Sequence, residues 1–517
     1  MSTLLFRRLA AACFVLLCSI GTAPADVSLP SLFSDHMVLQ QQTAIPVWGW
    51  ADPGEQITVT LGDQKQAATA GSDGKWCVKL NACEPGGPLT LVVKGKNTIQ
   101  VADVLVGETW LGSGQSNMAM TVASSANFPE EQAAADHPQI RVFTVSRVTA
   151  ETPQEKCQGS WQVCTPETVG SFSATAYFFG RELHRQLKVP VGLINSSWGG
   201  TPVQAWTSLP AQQALPELKP VLDNFDQQIK NYNAEVAKQR FEKQLAAWKE
   251  QVKRAKEANQ QAPRRPQLQG DPRQSPHRPA SLYNAMIEPL APYALRGAIW
   301  YQGESNAGGS TAQLYGLQLA TMIANWRQRW GQGDFPFEWV QLPNFRAPQK
   351  EPVETSGWVI VQEQMLKTLS VPNTGMAITI DVGEANDIHP KNKQAVGKRL
   401  ALWALGTTYG RQLVYSGPLV KSMSQDDGKI SVRFEHVGDG LRAKGDKLTS
   451  FAIAGEDRKF VFADAKIVGS DTVVVSSAEV AKPVAVRYAW AANPEASLFN
   501  SAGLPATPFR TDNWDTP

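Results

Sequence analysis

A serine bounded by glycines offers the first candidate chemistry in this chain. The apolar run from Leu105 to Ser113 ends in the pentapeptide Gly114-Gln-Ser116-Asn-Met118. A β-prone run that stops at a glycine and then presents a serine is typical of a buried strand leading into the first turn of an α/β sheet. Ser116 is therefore predicted where a nucleophile would be displayed, although strand ends also carry serine for turn formation alone.

Three further polar turns follow predicted strands later in the chain. They are Ser196-Ser-Trp-Gly199-Gly200-Thr201, Gln302-Gly-Glu304-Ser-Asn306 and Gly383-Glu-Ala-Asn-Asp387-Ile-His389-Pro390. Chemistry in parallel sheets collects beyond the carboxyl ends of the strands, and glycine lets backbone N–H groups approach a ligand. Each turn alone is explicable as loop chemistry, but the four together indicate a functional site.

His389 is the candidate base for Ser116. A serine hydroxyl is a weak nucleophile until a base takes its proton, and histidine has a pKa suited to that task near neutral pH. Of the six histidines, only His389 follows a predicted strand and stands beside a carboxylate, that of Asp387. Such a base also needs an acceptor that fixes its tautomer. The alternative interpretation is a structural histidine.

The elements that must position these turns alternate between strands and helices. Apolar runs such as Leu295–Tyr301 and Met376–Ile380 are predicted strands, and Ala174–Leu187 is a predicted helix. This alternation predicts an α/β catalytic section with a mainly parallel sheet, which we place at residues 104–410. Residues 209–280 interrupt the section as a helical insertion followed by an exposed loop, because apolar residues at helical spacing give way to a Pro-, Gln- and Arg-rich stretch.

The flanking residues 26–103 and 411–517 are predicted to be N-terminal and C-terminal β-sandwich domains. Short alternating strands separated by Gly and Asp turns support both predictions. Trp48, Trp50 and Trp76 in the first domain could form a sugar-stacking platform. A role in the hydrophobic core is the preferred interpretation of these three residues.

Residues 1–25 are predicted to be a secretory signal peptide. Arg7 and Arg8 precede a short apolar run and the sequence Ala23-Pro-Ala25, which is the pattern of a charged start, an apolar core and an Ala-x-Ala exit. The apolar run is too short to span a bilayer. We therefore expect an exported protein, periplasmic or extracellular, with no membrane anchor after cleavage.

The charge balance and the cysteines limit the partners and cofactors to expect. Loss of Arg7 and Arg8 lowers the 49 basic residues to 47, equal to the 47 acidic residues, which argues against nucleic acid or an anionic membrane as partner. Four cysteines then remain as two close pairs, Cys77 with Cys83 and Cys157 with Cys164, and these predict two local disulfides. No histidine spacing suited to zinc accompanies them, so no metal or other cofactor is expected.

Taken in order, the four turns resemble the SGNH (GDSL-like) hydrolases, and most closely the sialate O-acetylesterase family of carbohydrate esterases. The motifs are Gly-Gln-Ser116-Asn-Met, Ser-Trp-Gly-Gly200-Thr, Trp300-Tyr-Gln-Gly-Glu-Ser-Asn306 and Asp387-Ile-His-Pro-Lys391. The resemblance extends to residues 32–39 and 282–290, so it covers most of the mature chain. It implies a three-layer α/β/α catalytic domain of the SGNH type.

The resemblance implies that Ser116 is the nucleophile and His389 the general base and acid. The oxyanion formed on the attacked carbonyl would be held by the Ser116 backbone N–H, by a backbone N–H at Gly199 or Gly200, and by the Gln302 side-chain amide. Asn117 is expected to act with these oxyanion- or substrate-binding groups.

The third member of the implied triad stays open between two carboxylates. The general pattern has Asp-x-x-His, whereas this chain has Asp387-Ile-His389, one residue shorter, with Asn386 at the expected position. Either Asp387 orients the histidine, or Glu304 does so, as in some related carbohydrate esterases that use the glutamate of the Gln-Gly-Glu turn. Asp387 is the preferred candidate.

The implied function is an exported serine esterase that removes O-acetyl groups from carbohydrate through an acetyl-enzyme. O-acetylated sialic acid is the preferred substrate, and acetylated plant polysaccharide such as xylan or pectin is the alternative, because substrate contacts come from loops. A non-catalytic sugar-binding protein is the third interpretation. The oligomeric state is not predicted.

Overall fold

The protein is described here by a computed structural model that covers residues 26–514, so the predicted signal peptide lies outside the described residues. The first section is formed by strands. They are β1 (Val38–Gln40), β2 (Ile45–Trp50), β3 (Gln56–Leu61), β4 (Gln64–Thr69), β5 (Lys75–Leu80), β6 (Gly86–Lys94) and β7 (Thr98–Gly114). In β5 exposed and buried residues alternate strictly, as expected for a strand with one face against a core.

Strand β7 belongs both to this β region and to the α/β section that follows. Its first half pairs with β6 and β1, and its second half pairs with strands of the α/β section, so that 11 strands form one sheet. The predicted boundary between residues 103 and 104 therefore falls inside a continuous strand. Asp103 has a φ of 54°, and its carboxylate lies 2.6 Å from Arg141 Nη1 and 2.7 Å from His36 Nδ1. These contacts hold a backbone conformation that is uncommon for a non-glycine residue.

The α/β section alternates helices and strands. They are α1 (Ser116–Ala119), α2 (Phe128–Ala133), β8 (His137–Thr144), β9 (Trp161–Cys164), α3 (Ala174–Leu187), β10 (Val191–Ser197), α4 (Leu209–Gln213), α5 (Lys219–Asn231), α6 (Ala234–Glu257), β11 (Gly297–Tyr301), α7 (Tyr315–Trp330), β12 (Phe337–Val340), α8 (Gly357–Lys367), β13 (Thr374–Ala377) and α9 (Lys393–Trp403). The strand order is β13-β12-β11-β7-β10-β8-β9, and every neighbouring pair is parallel except β8 with β9. The chain is thus a mixed α/β protein, as predicted.

Hydrophobic side chains cover both faces of this sheet. Every residue of β10 and β11 is buried, as expected for parallel strands with packing on two sides. Leu111 and Trp300 pack into a core with residues of α7 and α8, whereas Trp110 and Ile299 pack into a second core with residues of α3 and α9. The sheet therefore separates two hydrophobic cores.

The insertion at residues 209–280 contains helices α4, α5 and α6. Only Ala237 and Ala255 of α6 are buried, and no residue of α5 is. Residues 260–271 form no regular secondary structure. Between residues 26 and 514 no helix combines the length and apolar character needed to cross a membrane.

The C-terminal section returns to strands. They are β14 (Leu419–Asp426), β15 (Lys429–Glu435), β16 (Leu441–Ala443), β17 (Phe451–Ala454), β18 (Val461–Phe462), β19 (Asp464–Val468), β20 (Thr472–Ser476), β21 (Ala485–Tyr488), β22 (Leu498–Asn500) and β23 (Phe509–Arg510). Two four-stranded antiparallel sheets, β14-β15-β20-β19 and β18-β17-β21-β23, contribute to one core. An ion pair of 2.7 Å between Arg510 and Glu363 of α8 joins this section to the α/β section.

The predicted disulfides are absent from the described residues, where Cys77, Cys83, Cys157 and Cys164 are all free thiols. Cys157 belongs to the core on one face of the sheet and Cys164 to the core on the other. Proximity in sequence therefore does not bring this pair together. Cys77 points outward from β5, whereas Cys83 accepts a hydrogen bond of 3.0 Å from Gln64 Nε2.

A buried carboxylate at the amino-terminal side of the sheet gives a stability prediction. Glu108 is fully buried and receives hydrogen bonds from Arg296 Nε (2.7 Å), Gln41 Nε2 (2.5 Å) and the Tyr409 hydroxyl (2.8 Å). We expect Glu108→Ala to lower the free energy of unfolding by about 3 kcal/mol, because it leaves these donors unpaired. Urea unfolding measures the effect, with the exposed Glu435→Ala as control; equal stabilities of the two variants would contradict the prediction.

Candidate active site

Three parallel strands end side by side at Gly114. It pairs with Ser197 of β10 on one side and with Tyr301 of β11 on the other. Its φ is 139°, and a Cβ atom there would lie 2.2 Å from the Tyr301 carbonyl oxygen, so the close approach requires glycine. This register places the turns that follow β7, β10 and β11 next to one another.

Ser116 is the first residue of α1 and lies directly beneath the turn after β10. A Cβ atom on Gly199 would lie 3.3 Å from Ser116 Cβ, so a larger residue would press against the serine. Gly200 has a φ of 75°, and nothing lies within 4 Å of the position of its missing Cβ. The two glycines thus bring backbone to the serine on one side and leave open space on the other.

Asn117 connects the serine turn to the histidine turn. Its Nδ2 donates hydrogen bonds to the Ile388 carbonyl at 3.0 Å and to Glu304 Oε1 at 2.6 Å, and its Oδ1 accepts one from Lys393 Nζ at 2.6 Å. An asparagine amide has two N–H donors, so both are engaged. Because Asn117 follows Ser116 and Ile388 precedes His389, the bond to Ile388 holds the serine and histidine turns together.

Asp387 lies against His389 despite the short spacing. Asp387 Oδ1 accepts the backbone N–H of His389 at 2.9 Å and lies 3.6 Å from its Nδ1. The Lys391 ammonium is 3.0 Å from the other carboxylate oxygen. The hydrogen bond from the His389 backbone is the main cause that lowers the pKa of Asp387, so the carboxylate is charged at neutral pH. Both side chains are about 40% exposed.

The Glu304 carboxylate is placed differently. Oε1 accepts the bond from Asn117, and Oε2 is buried without a hydrogen-bond partner among the described residues. Burial raises the pKa of Glu304. Lys393, which is fully buried and also donates to the Pro390 carbonyl at 2.9 Å, faces the opposite end of the Asn117 amide. Burial lowers its pKa to about 7. The Asn117 side-chain amide is therefore held by Glu304 at its nitrogen and by Lys393 at its oxygen.

Gln302 is fully buried, and its amide nitrogen is already engaged. It donates to the Thr201 carbonyl at 3.2 Å and to Asn306 Oδ1 at 2.7 Å, and the Tyr315 hydroxyl lies 2.9 Å from its Oε1. Both N–H donors are thus used inside the protein. In this structure the Gln302 side-chain amide, which the sequence predicts as an oxyanion donor, is therefore engaged with Thr201 and Asn306.

The structure brings all four predicted turns together and adds two residues that the sequence did not suggest. Lys393 is the first residue of α9, where the helix dipole disfavours a cation. A lysine at the start of a predicted helix was therefore the sequence signal that could have identified Lys393 as a functional residue. His277, in the exposed loop of the insertion, has its ring against the Gly200 backbone. Nothing in its sequence context pointed to this position.

Comparisons with known proteins identify the family of the chain. The family model described as carbohydrate esterase, sialic acid-specific acetylesterase, matches residues 106–262 and 269–405. Sialate O-acetylesterase of Rattus norvegicus is 30% identical over 540 residues, covering 93% of each chain. The Homo sapiens enzyme is 29% identical over 530 residues, covering 93% of this chain and 91% of the human one.

A solved structure shares the architecture along most of this chain. It is a carbohydrate acetylesterase from Xanthomonas citri, with a TM-score of 0.79 and 38% identity over 95% of this chain and 100% of the other. The family match spans more than half of the chain and includes all four turns. The alternative of a non-catalytic sugar-binding protein is therefore set aside. The chain belongs to the carbohydrate esterase family of sialic acid-specific acetylesterases and is a carboxylic ester hydrolase.

Proposed function

We propose that this protein is an exported serine esterase that removes O-acetyl groups from O-acetylated sialic acid through an acetyl-enzyme. The observation that carries the mechanism is the Asn117–Ile388 hydrogen bond of 3.0 Å, which joins the turns bearing Ser116 and His389. The substrate class rests on the sialate O-acetylesterases that match 93% of the chain.

In the proposed reaction Ser116 Oγ attacks the acetyl carbonyl carbon, and its proton passes to His389 Nε2, the ring nitrogen turned away from Asp387. The tetrahedral intermediate then breaks its bond to the sugar oxygen, which leaves with that proton. Water attacks the acetyl-enzyme, His389 again takes a proton, and acetate and free serine are released. This sequence balances without a metal or organic cofactor.

Negative charge on the carbonyl oxygen needs donors that are in place before reaction. We assign this role to the backbone N–H groups of Ser116 and of Gly199 or Gly200. Gln302 is instead assigned the role of holding the turn at Thr201, because its two N–H donors are engaged there and at Asn306.

Asp387 is the proposed partner of His389, and Glu304 is the proposed positioning residue for Asn117. The first assignment follows from the 3.6 Å separation of Asp387 Oδ1 and His389 Nδ1. The second follows from the 2.6 Å bond between Glu304 and Asn117. One carboxylate would thus stabilise the imidazolium, while the other would hold the serine and histidine turns in register.

The pH dependence of turnover tests the role of His389. Burial lowers the pKa of its imidazole, and the nearby Asp387 charge only partly offsets this effect. His389 must be neutral to take the proton, so kcat/KM is expected to rise with pH along an acid limb whose midpoint lies below the ordinary histidine value of about 6.5. A pH profile in the wild type measures the limb. A midpoint well above that value would contradict the assignment.

The substrate assignment needs a direct comparison. The 38% identical Xanthomonas citri relative is described only as a carbohydrate acetylesterase, which keeps acetylated plant polysaccharide as a second candidate. Acetate release from O-acetylated sialic acid and from acetylated xylan and pectin should be measured side by side, with Ser116→Ala as blank. We expect kcat/KM to be highest for O-acetylated sialic acid. A higher kcat/KM for acetylated xylan or pectin would instead identify that polysaccharide as the substrate.

Export is tested separately, through the N-terminus of the mature chain. The proposal predicts cleavage after Ala25 when the full sequence is expressed in a secreting host. Mass spectrometry of the purified protein should then show a chain beginning at Asp26. A protein that keeps residues 1–25 would contradict export without affecting the catalytic assignment.

A further inference from the structure

A cavity of about 490 Å³ lies where the N-terminal β region meets the α/β section. Its lining includes Trp48, Trp50, Lys75, Glu155, Glu288 and Arg329. We call it the tryptophan cavity. Its volume lies in the range of small-ligand pockets, and the residues assigned above to the active site do not line it.

Tryptophan rings form one wall of this cavity. Trp48 and Trp50 are part-exposed neighbours on β2, and Trp76 of β5 is buried behind them. A Cβ atom on Gly49 would lie 2.9 Å from the Trp76 ring, so the glycine lets this indole pack against β2. The Lys156 ammonium lies 4.2 Å from the centroid of the Trp50 ring and covers one of its faces. Trp48 and Trp50 thus supply the aromatic face of the wall and reach solvent, whereas Trp76, which pairs with Gly49, packs on the opposite, buried face of β2.

Paired charges flank the aromatic wall. Lys75 Nζ lies 2.5 Å from Glu155 Oε1, and the second oxygen of Glu155 accepts a hydrogen bond of 3.2 Å from Trp50 Nε1. Arg329 Nε lies 2.7 Å from Glu288 Oε1. The Lys75–Glu155 pair is about half exposed and contributes little to stability, whereas the Arg329–Glu288 pair is part-buried. Both pairs present hydrogen-bond donors and acceptors beside the tryptophans. Lys156 adds a third cation there, and Asp73, 3.8 Å from Lys75, adds a third carboxylate, so the charges balance.

The tryptophan cavity is far from the catalytic serine. Helix α7 begins at Tyr315, whose hydroxyl contacts Gln302 at the active-site edge, and Arg329 lies near its other end. A helix rises 1.5 Å per residue, so about 20 Å separates these two residues. A ligand in the cavity therefore cannot be the acetyl group under attack at Ser116.

We propose that the tryptophan cavity is a second carbohydrate-binding site, which holds a neutral pyranose unit of an oligosaccharide or polysaccharide chain. A pyranose ring combines an apolar C–H face, which packs on an indole, with a rim of hydroxyl groups that both donate and accept hydrogen bonds. The wall and the two ion pairs match these features. Balanced charge does not suit a polyanion such as nucleic acid. An apolar peptide would remove water from the ion pairs without offering them hydrogen bonds in return.

The test measures binding rather than turnover. Unacetylated cellohexaose, xylohexaose and mannohexaose, which carry no ester, are titrated by calorimetry into the full mature protein. We expect at least one to bind wild type and Trp50→Ala to bind it about tenfold more weakly, which corresponds to about 1.4 kcal/mol. Trp50→Phe, which keeps an aromatic face, should restore most of the affinity.

Two controls keep the test decisive. Trp248→Ala removes a part-exposed tryptophan of α6 outside the cavity and should bind like wild type. If Trp50→Ala does not fold, Lys75→Gln is measured in its place. Lys75→Gln removes the cation of one ion pair but keeps both exposed tryptophans, and it should also weaken sugar binding. Hydrolysis of a small chromogenic acetate should stay unchanged in all these variants, which separates this site from the proposed catalysis. No binding of any of the three sugars, or equal affinities for wild type and the cavity variants, would overturn the proposal.

Discussion

Ser116→Ala is expected to reduce the rate of acetate release by about 10⁴-fold or more, because the remaining groups can bind the ester but cannot form an acetyl-enzyme. The substitution removes one oxygen from a residue that opens a short helix after β7, so the fold should be unaffected. His389→Ala should cause a similar loss. The double variant should be no worse than either single one, since residues that act as one unit lose their effect together.

Ser305→Ala is the matched control for this experiment. Ser305 is exposed at the same edge of the molecule, and its backbone N–H, which donates to Gln115 Oε1 at 3.2 Å, survives the substitution. Its turnover should stay close to wild type. An organophosphate probe should label wild type and Ser305→Ala but not Ser116→Ala. Covalent labelling of Ser116→Ala, or near-normal turnover by it, would disprove the nucleophile assignment.

Asp387→Asn is expected to lower kcat by about 10²–10⁴-fold, because an amide can neither stabilise the imidazolium nor enforce the right tautomer. Glu304→Gln should lose less than about tenfold, because the glutamine oxygen can still accept the hydrogen bond from Asn117. The geometry behind this contrast is that Asp387 Oδ1 lies 3.6 Å from His389 Nδ1, whereas Glu304 bonds to Asn117 at 2.6 Å.

Steady-state kinetics and pH profiles of both variants measure this contrast. Because the Asp387 charge raises the pKa of His389, Asp387→Asn should also shift the acid limb to lower pH, whereas a merely structural role would leave its midpoint unchanged. The opposite ranking, with Asp387→Asn near wild type and Glu304→Gln reduced by several orders of magnitude, would assign the triad to Glu304.

Much of the fold and of the site follows from local sequence. Helix α3 matches its predicted span, Ala174–Leu187, because its apolar face repeats at helical spacing between clear ends. The serine and glycine turns could be found because their signal lies within a few residues. The strand that precedes the serine turn could also be predicted. Its full length could not, because β7 runs through position 103, where the composition suggested a domain boundary.

The sequence by itself determined which residue types stand at the ends of the strands, and with them the family and the candidate serine and histidine. Only the tertiary structure decided how these residues are supported. It placed Glu304 and Lys393 on Asn117, turned the Gln302 amide inward, and separated Cys157 from Cys164 onto opposite faces of the sheet. The physical reason is range. A turn motif is a short-range property of the backbone, whereas Glu304 and Lys393 lie 187 and 276 residues from Asn117 along the chain and reach it only through the packing of whole elements.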